Sequence, residues 1–91
     1  MKENDNLQVE ILYSLRRTGH IGSKHTPIAN VCRRLSKHDC KSVTKEIGNL
    51  IKKEFILIYN THHDKDIRLN PKKMKLIKEI TKKKWDSLKT I

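Results

Sequence analysis

The chain has no long hydrophobic run. In its 91 residues no apolar stretch approaches the roughly 18 to 20 residues that a membrane-spanning helix requires. The first six residues, Met1 to Asn6, also lack the apolar segment of a secretory signal peptide. We therefore expect a cytoplasmic protein that has no membrane partner.

Cysteines are few, and they do not form a recognisable motif. Cys32 and Cys40 are the two cysteines, and neither belongs to a C-x-x-C pair, so in the cytosol we expect both to be reduced thiols. With the five histidines they could in principle supply zinc ligands. The spacings are His-x4-His and Cys-x7-Cys, without a paired knuckle, and we predict neither a metal nor another cofactor.

Acidic residues are scarce. Ten Asp and Glu face 21 Lys and Arg, which gives a net charge of +11 and makes nucleic acid the expected partner. Sixteen lysines, eleven isoleucines and one alanine are also typical of an A/T-rich genome, which would leave only a lysine-rich surface. Codon bias does not explain the missing acids. The excess is local, with +8 over residues 14–53 and +6 over residues 70–91.

Apolar spacing predicts two helices in the first part of the chain. The first covers about residues 6–17 and is apolar on two sides, so we expect it to contact the core and also either the C-terminal helix or a second subunit. Thr26-Pro27 predicts the cap and first residue of a second helix over about 27–36. The inward positions are Leu7, Ile11, Leu12 and Leu15, with Val9 and Tyr13 opposite, and then Ile28, Val31, Cys32 and Leu35.

A third helix, about residues 39–53, has an apolar side and a lysine side. Asp39 is its predicted cap, after the short turn Ser36 to His38. The inward residues are Cys40, Val43, Ile47, Leu50 and Ile51; the outward residues are Lys41, Ser42, Lys45, Asn49 and Lys52, with the acid Glu46 on the flank. A helix, a short turn and a second helix form the helix-turn-helix arrangement.

A hairpin and a final helix complete the chain. Runs of β-branched and aromatic residues at 55–59 and 67–69 predict two strands around a polar tip at 60–66. Asn70-Pro71 predicts the start of a helix over about 71–88, with Met74, Ile77, Ile80 and Trp85 inward. Glu54 occupies the position after the third helix where glycine is preferred.

This order of elements, α-α-α-β-β-α, resembles the winged helix-turn-helix family of DNA-binding domains over essentially the full chain. The connector from Arg17 to Thr26 (RTGHIGSKHT) is similar to one in small archaeal proteins of that type. The resemblance implies a mainly α fold with a small β-hairpin, a single domain over 1–91, and a third helix that reads the major groove. It also implies that the hairpin, the wing, contacts the DNA backbone or the minor groove.

Twelve residues are candidates for DNA contact. The wing departs from the family pattern, because Asp64 and Asp66 offset Lys65 and Arg68, and His62 and His63 gain charge only below about pH 6.5. Asn49 is the candidate for an adenine contact, and Arg33, Arg34 and Lys37 for flanking phosphates. The candidates are Lys41, Ser42, Lys45, Asn49, Lys52, Arg33, Arg34, Lys37, His62, His63, Lys65 and Arg68.

The sequence thus predicts a protein that binds double-stranded DNA as a transcriptional regulator or chromatin-type factor. We expect a homodimer through the first and C-terminal helices. The alternative is a winged helix that serves protein interaction or RNA binding in a larger complex, although four aromatic residues leave little for stacking on RNA bases. We do not expect an enzyme, because His20 and Ser23, or His38 and Cys40, lack an orienting third group.

Overall fold

The computed structural model describes residues 2–61 and 65–89, and within these it places a mainly helical fold with a small antiparallel sheet. A single 3-10 turn, Pro71–Lys73, precedes the last helix. The elements are α1 (Lys2–Arg17), β1 (Thr26–Pro27), α2 (Ile28–Arg34), α3 (Cys40–Lys52), β2 (Ile56–Asn60), β3 (Lys65–Leu69) and α4 (Met74–Lys89). None of the helices described is both long and apolar enough to cross a membrane.

Helix α1 lies at the centre of the core. The prediction for its inward side is confirmed, because Leu7, Ile11, Leu12 and Leu15 are all buried. On its other side the Tyr13 ring meets Trp85 of α4 edge-on, with 6.1 Å between ring centroids. The second partner of α1 is therefore α4 of the same chain. The buried cluster also includes Val31, Val43, Ile47, Leu50, Ile56, Ile67, Leu69 and Ile77.

Thr26-Pro27 forms a strand, and its prediction as a helix start was wrong. The two residues are β1, which pairs with Ile67 and Asp66 of β3, so the sheet has the order β1-β3-β2. Helix α2 begins at Ile28 with Pro27 as its cap, and no side chain caps it. The φ angle that the proline ring fixes suits an extended strand as well as a first helical turn, which is why the motif was ambiguous.

The hairpin is longer, and its tip shorter, than predicted. Asn60 pairs with Lys65, and Asp66 pairs with Tyr59, so three residues assigned to the polar tip belong to the strands. Asp66 is buried there, and its carboxylate lies 2.6 Å from Nδ1 of His25. A buried carboxylate is tolerated when it has such a partner. The predicted tip residues His62, His63 and Asp64 lie outside the described residues.

Helix α4 buries three of the four predicted inward residues at least partly, and the prediction for Ile80 was wrong. Ile77 is fully buried, and Met74 and Trp85 are partly buried, but Ile80 is 38% exposed. Thr81 takes its place in the interior, where its hydroxyl donates to the Ile77 carbonyl at 2.8 Å and accepts from Arg16 at 3.0 Å. Because its hydroxyl is satisfied, a threonine can occupy a position that spacing assigns to an isoleucine.

Asp39 and Asn70 act as the predicted N-terminal caps, and Glu54 ends α3 in the left-handed region. Asp39 accepts from the Ser42 N–H at 2.7 Å, and Asn70 from the Lys72 N–H at 3.1 Å. Glu54 has a φ of 68°, and the amides of Glu54 and Phe55 donate to the carbonyls of Ile51 and Leu50. This is the Schellman pattern, in which glycine is preferred at the left-handed position.

Replacing Glu54 with glycine is expected to stabilise the protein by about 0.5 to 1 kcal/mol, because glycine adopts positive φ without strain. Chemical denaturation at neutral pH measures the change. Glu54→Ala is the matched control, since alanine keeps the Cβ and should gain little. A glycine variant less stable than the alanine variant would contradict the assigned strain.

Candidate nucleic-acid interface

The outward side of α3 carries three exposed lysines. Lys41, Lys45 and Lys52 are exposed together with Ser42, while Val43, Ile47 and Leu50 on the opposite side are buried. Asp39 fixes where the helix begins, and the buried residues fix its rotation. The structure therefore brings four of the predicted contact residues onto one solvent-facing surface, which we call the α3 face (Lys41, Ser42, Lys45 and Lys52).

Three further candidates lie on the segment just before α3. Arg33 and Arg34 are exposed in the last turn of α2, Lys37 is exposed in the turn before the Asp39 cap, and α2 packs on α3. The Arg33 guanidinium also donates to the Asn30 side chain. Three exposed cations thus precede the helix that carries the α3 face.

A disulfide joins Cys32 of α2 to Cys40, the first residue of α3. The expectation of two reduced thiols was wrong, and Cys40 is exposed rather than part of the core. The α carbons are 5.1 Å apart, a separation that a disulfide normally spans. Because α2 and α3 pack on each other across a short turn, Cys32 and Cys40 come close together although they are eight residues apart in the chain. The bond closes the turn that positions the α3 face.

Glu46 is buried, although the sequence placed it on the flank of α3. It is 2% exposed, and its Oε1 accepts from Gln8 Nε2 of α1 at 2.8 Å and from Asn49 Nδ2 at 3.0 Å. Gln8 in turn accepts from Lys53 at 2.9 Å. At 100° per residue Glu46 lies at the edge of the apolar side of α3, about 40° from Leu50 on the helix wheel. Its burial depends on Gln8 of α1, a partner that the periodicity of α3 does not show.

This network changes what Asn49 can do. Its side chain is half-buried, and one hydrogen of its Nδ2 donates to Glu46, so it offers less to an adenine edge than a fully exposed asparagine would. Asn49 instead fixes the side chain of Glu46 within α3. Asn49 therefore lies on α3 as predicted, but its amide is directed toward Glu46 rather than fully toward solvent.

Hydrogen bonds from Gln8 and Asn49 hold the pKa of Glu46 below its ordinary value. Burial opposes this effect and raises the pKa, whereas the nearby charges of Lys45 and Lys53 lower it further. The pKa of Asp39 is lowered as well, first by the backbone and side chain of Ser42. A carboxylate with a lowered folded-state pKa stabilises the fold above its unfolded-state pKa, and this contribution disappears as the pH falls through the folded-state value.

We expect Glu46→Gln to be less stable than the parent at pH 7 and to approach it in stability as the pH falls below about 4. Gln8 and Asn49 lose a charged acceptor, and protonation removes that acceptor from the parent as well. Urea denaturation over a pH series measures both slopes. Asp39 is present in both the parent and the variant, so the pH dependence of stability that it causes should be the same in the two proteins. A constant difference at every pH would contradict the role of the ionised carboxylate.

The wing offers less than predicted. Lys65 is exposed, but Arg68 is half-buried, and its Nη1 donates to the Gly22 carbonyl at 2.9 Å, so it anchors the connector between α1 and β1. His62 and His63 are not among the described residues. The sequence did not reveal that His25 stacks on Tyr59 of β2, with 3.9 Å between centroids, while it bonds to Asp66. Among the described residues of the hairpin, Lys65 is therefore the one fully exposed cation.

The histidines of the described segments serve structural contacts. His20 lies 2.7 Å from the Thr18 hydroxyl, and burial, followed by the charge of Arg34, lowers its pKa. His38 lies 3.3 Å from Glu10. In residues 2–61 and 65–89 no group of three or more His, Cys, Asp or Glu could hold a metal ion.

No family model matches the chain, and no curated protein or solved structure matches it either. Its own residues are therefore the basis for a functional proposal. The homodimer through α1 and α4 stays a prediction. Tyr13, on the second apolar side of α1, contacts Trp85 of α4 within one chain.

Proposed function

We propose that the protein binds double-stranded DNA with the α3 face, as a winged helix-turn-helix protein. The observation that carries this proposal is the position of Lys41, Lys45 and Lys52 opposite the buried side of α3. Glu46, the single acid within α3, is directed into the core. Within α3 the solvent-facing surface therefore presents cations and no carboxylate, and the acid beside Lys41 and Ser42 is the Asp39 cap that precedes the helix.

The surrounding elements suit this mode of binding. Helix α2 and the short turn before Asp39 precede α3, and the β2–β3 hairpin follows it, as in winged-helix domains. In helix-turn-helix proteins the second helix of the pair enters the major groove. Arg33, Arg34 and Lys37 would then contact phosphates beside the groove, while the lysines of α3 contact phosphates or guanine edges and Ser42 assists.

The chemistry of the α3 face favours attachment over strong sequence discrimination. Lysine is a point charge on a flexible stem, whereas arginine offers the planar fork that reads guanine with two bonds. With Asn49 assigned to the support of Glu46, Ser42 is the remaining uncharged side chain of the α3 face. We therefore propose a transcriptional regulator with modest sequence preference, or a chromatin-type factor.

A salt titration of duplex binding tests this proposal. If about five of the cations Arg33, Arg34, Lys37, Lys41, Lys45 and Lys52 contact phosphates, the slope of log affinity against log salt should be near −4.5. The same titration with RNA and single-stranded DNA, read by fluorescence anisotropy, identifies the preferred nucleic acid. A flat slope, or tighter binding to RNA than to duplex DNA, would overturn the proposal.

A further inference from the structure

A groove with a different composition lies where α1, α2 and α4 meet, apart from the α3 face. It encloses about 280 Å³. Its walls are formed by side chains from all three helices and from the ends of α1 and α2, namely Glu10, Tyr13, Ser14, Arg17, Thr18, Arg34, Leu35 and Lys84. Three helices thus contribute to one concave site.

The groove is electropositive. Arg17, Arg34 and Lys84 come from three different elements and are all exposed at its walls. Glu10 is the single acid in the lining, and Nε2 of His38 lies 3.3 Å from its carboxylate. Three cations against one acid leave an excess of positive charge that a small anion would neutralise.

The interior of the groove holds a hydroxyl without a partner. Ser14 is 7% exposed, and its Oγ has no hydrogen-bond partner among the described residues. A buried polar group in that condition costs free energy, and such groups are rare in folded proteins. Tyr13 and Leu35 supply apolar surface beside it. Ligand sites commonly combine apolar walls with a few convergent polar groups.

We propose that this groove binds a phosphate monoester of a small apolar group. The dianionic phosphate would lie between Arg17, Arg34 and Lys84, within reach of the Ser14 hydroxyl, and the apolar group would contact Tyr13 and Leu35. Three cations and the acid Glu10 leave two net positive charges in the lining, which a dianion would neutralise and a carboxylate, with a single charge, would not.

Occupation of the groove would also regulate the α3 face, and this part rests on the proposed function. Arg34 belongs both to the groove lining and to the residues proposed to contact DNA phosphates. A bound phosphate monoester would neutralise Arg34 and compete with that contact. The ligand would therefore weaken DNA binding, and DNA would weaken ligand binding by the same factor.

Phenyl phosphate is the test ligand, added to the full chain without DNA and followed by the fluorescence of Trp85, whose ring lies 6.1 Å from that of Tyr13. Saturable binding with a Kd of about 1 mM or tighter is expected for a ligand of this size. Arg17→Gln/Lys84→Gln should weaken it at least about tenfold. The matched control, Lys75→Gln/Lys83→Gln, removes two exposed cations of α4 outside the groove and should leave it unchanged.

Three outcomes would overturn the site: no saturation, equal affinity for inorganic phosphate, or equal loss in the two double variants. Binding of neutral benzyl alcohol as tightly as phenyl phosphate would overturn the anionic assignment. The regulatory step is measured separately, as a several-fold loss of duplex affinity in saturating phenyl phosphate that disappears in Arg17→Gln/Lys84→Gln. Because ligand binding is measured without DNA, failure of the DNA proposal and failure of the groove are distinguishable.

Discussion

Reversal of two charges on α3, Lys41→Glu/Lys45→Glu, is expected to weaken binding to duplex DNA by about 100-fold at low salt. Each substitution removes an attraction to phosphate and introduces a repulsion at the same point. The slope of log affinity against log salt should also become shallower by about 1.8, since two contacts no longer release counterions. Fluorescence anisotropy at about 50 and 200 mM salt measures both effects.

The matched control is Lys75→Glu/Lys78→Glu on α4, which changes the net charge by the same amount at two exposed positions. It should weaken binding only slightly, through the smaller total charge, and should leave the salt slope unchanged. Equal losses in the two double variants would mean that α3 is not the binding surface. All four positions are exposed, so circular dichroism should show unchanged folding in both proteins.

Loss of the Cys32–Cys40 disulfide is expected to destabilise the protein by about 2.5 kcal/mol, because the reduced chain gains the entropy of an open nine-residue loop when it unfolds. For a domain of this size that corresponds to a melting temperature lower by about 10 to 20 °C. Thermal unfolding of the parent protein with and without dithiothreitol measures the change.

Cys32→Ala/Cys40→Ala provides the control for this experiment. The variant should melt near the temperature of the reduced parent, and dithiothreitol should not lower it further. If the reductant leaves the melting temperature of the parent unchanged, the bond does not stabilise the fold. Disulfides are rare in the cytosol apart from transient redox bonds and the proteins of hyperthermophiles. The bond and the expected cytoplasmic location are therefore compatible only in those settings.

Local periodicity predicted much of this structure. The spacing of Leu7, Ile11 and Leu15 defined the buried side of α1, and Asp39 and Asn70 were recognised as caps because their side chains satisfy nearby amides. The exposed lysines of α3 followed from the same wheel. These features depend on neighbours within one or two helical turns, which a single sequence displays directly.

Periodicity could not predict contacts between segments that are distant in the chain. Glu46 is buried because Gln8 reaches it from another helix, and Thr81 because Arg16 does. The disulfide and the pairing of Thr26 with Ile67 likewise depend on how elements pack. Asn49 shows the consequence for the candidate interface: its place on the wheel was predicted, but the direction of its amide was decided by a partner that periodicity does not reveal.

Strand β1 determines how the sheet can meet other chains. It is an edge strand two residues long, and its Pro27 has no N–H to donate. A strand from another molecule would find almost no ladder at that edge, and short or proline-containing edges are a common protection against sheet-to-sheet aggregation. The opposite edge, β2, is five residues long and exposes Ile58 and Tyr59. Unwanted strand pairing between copies would therefore begin at β2.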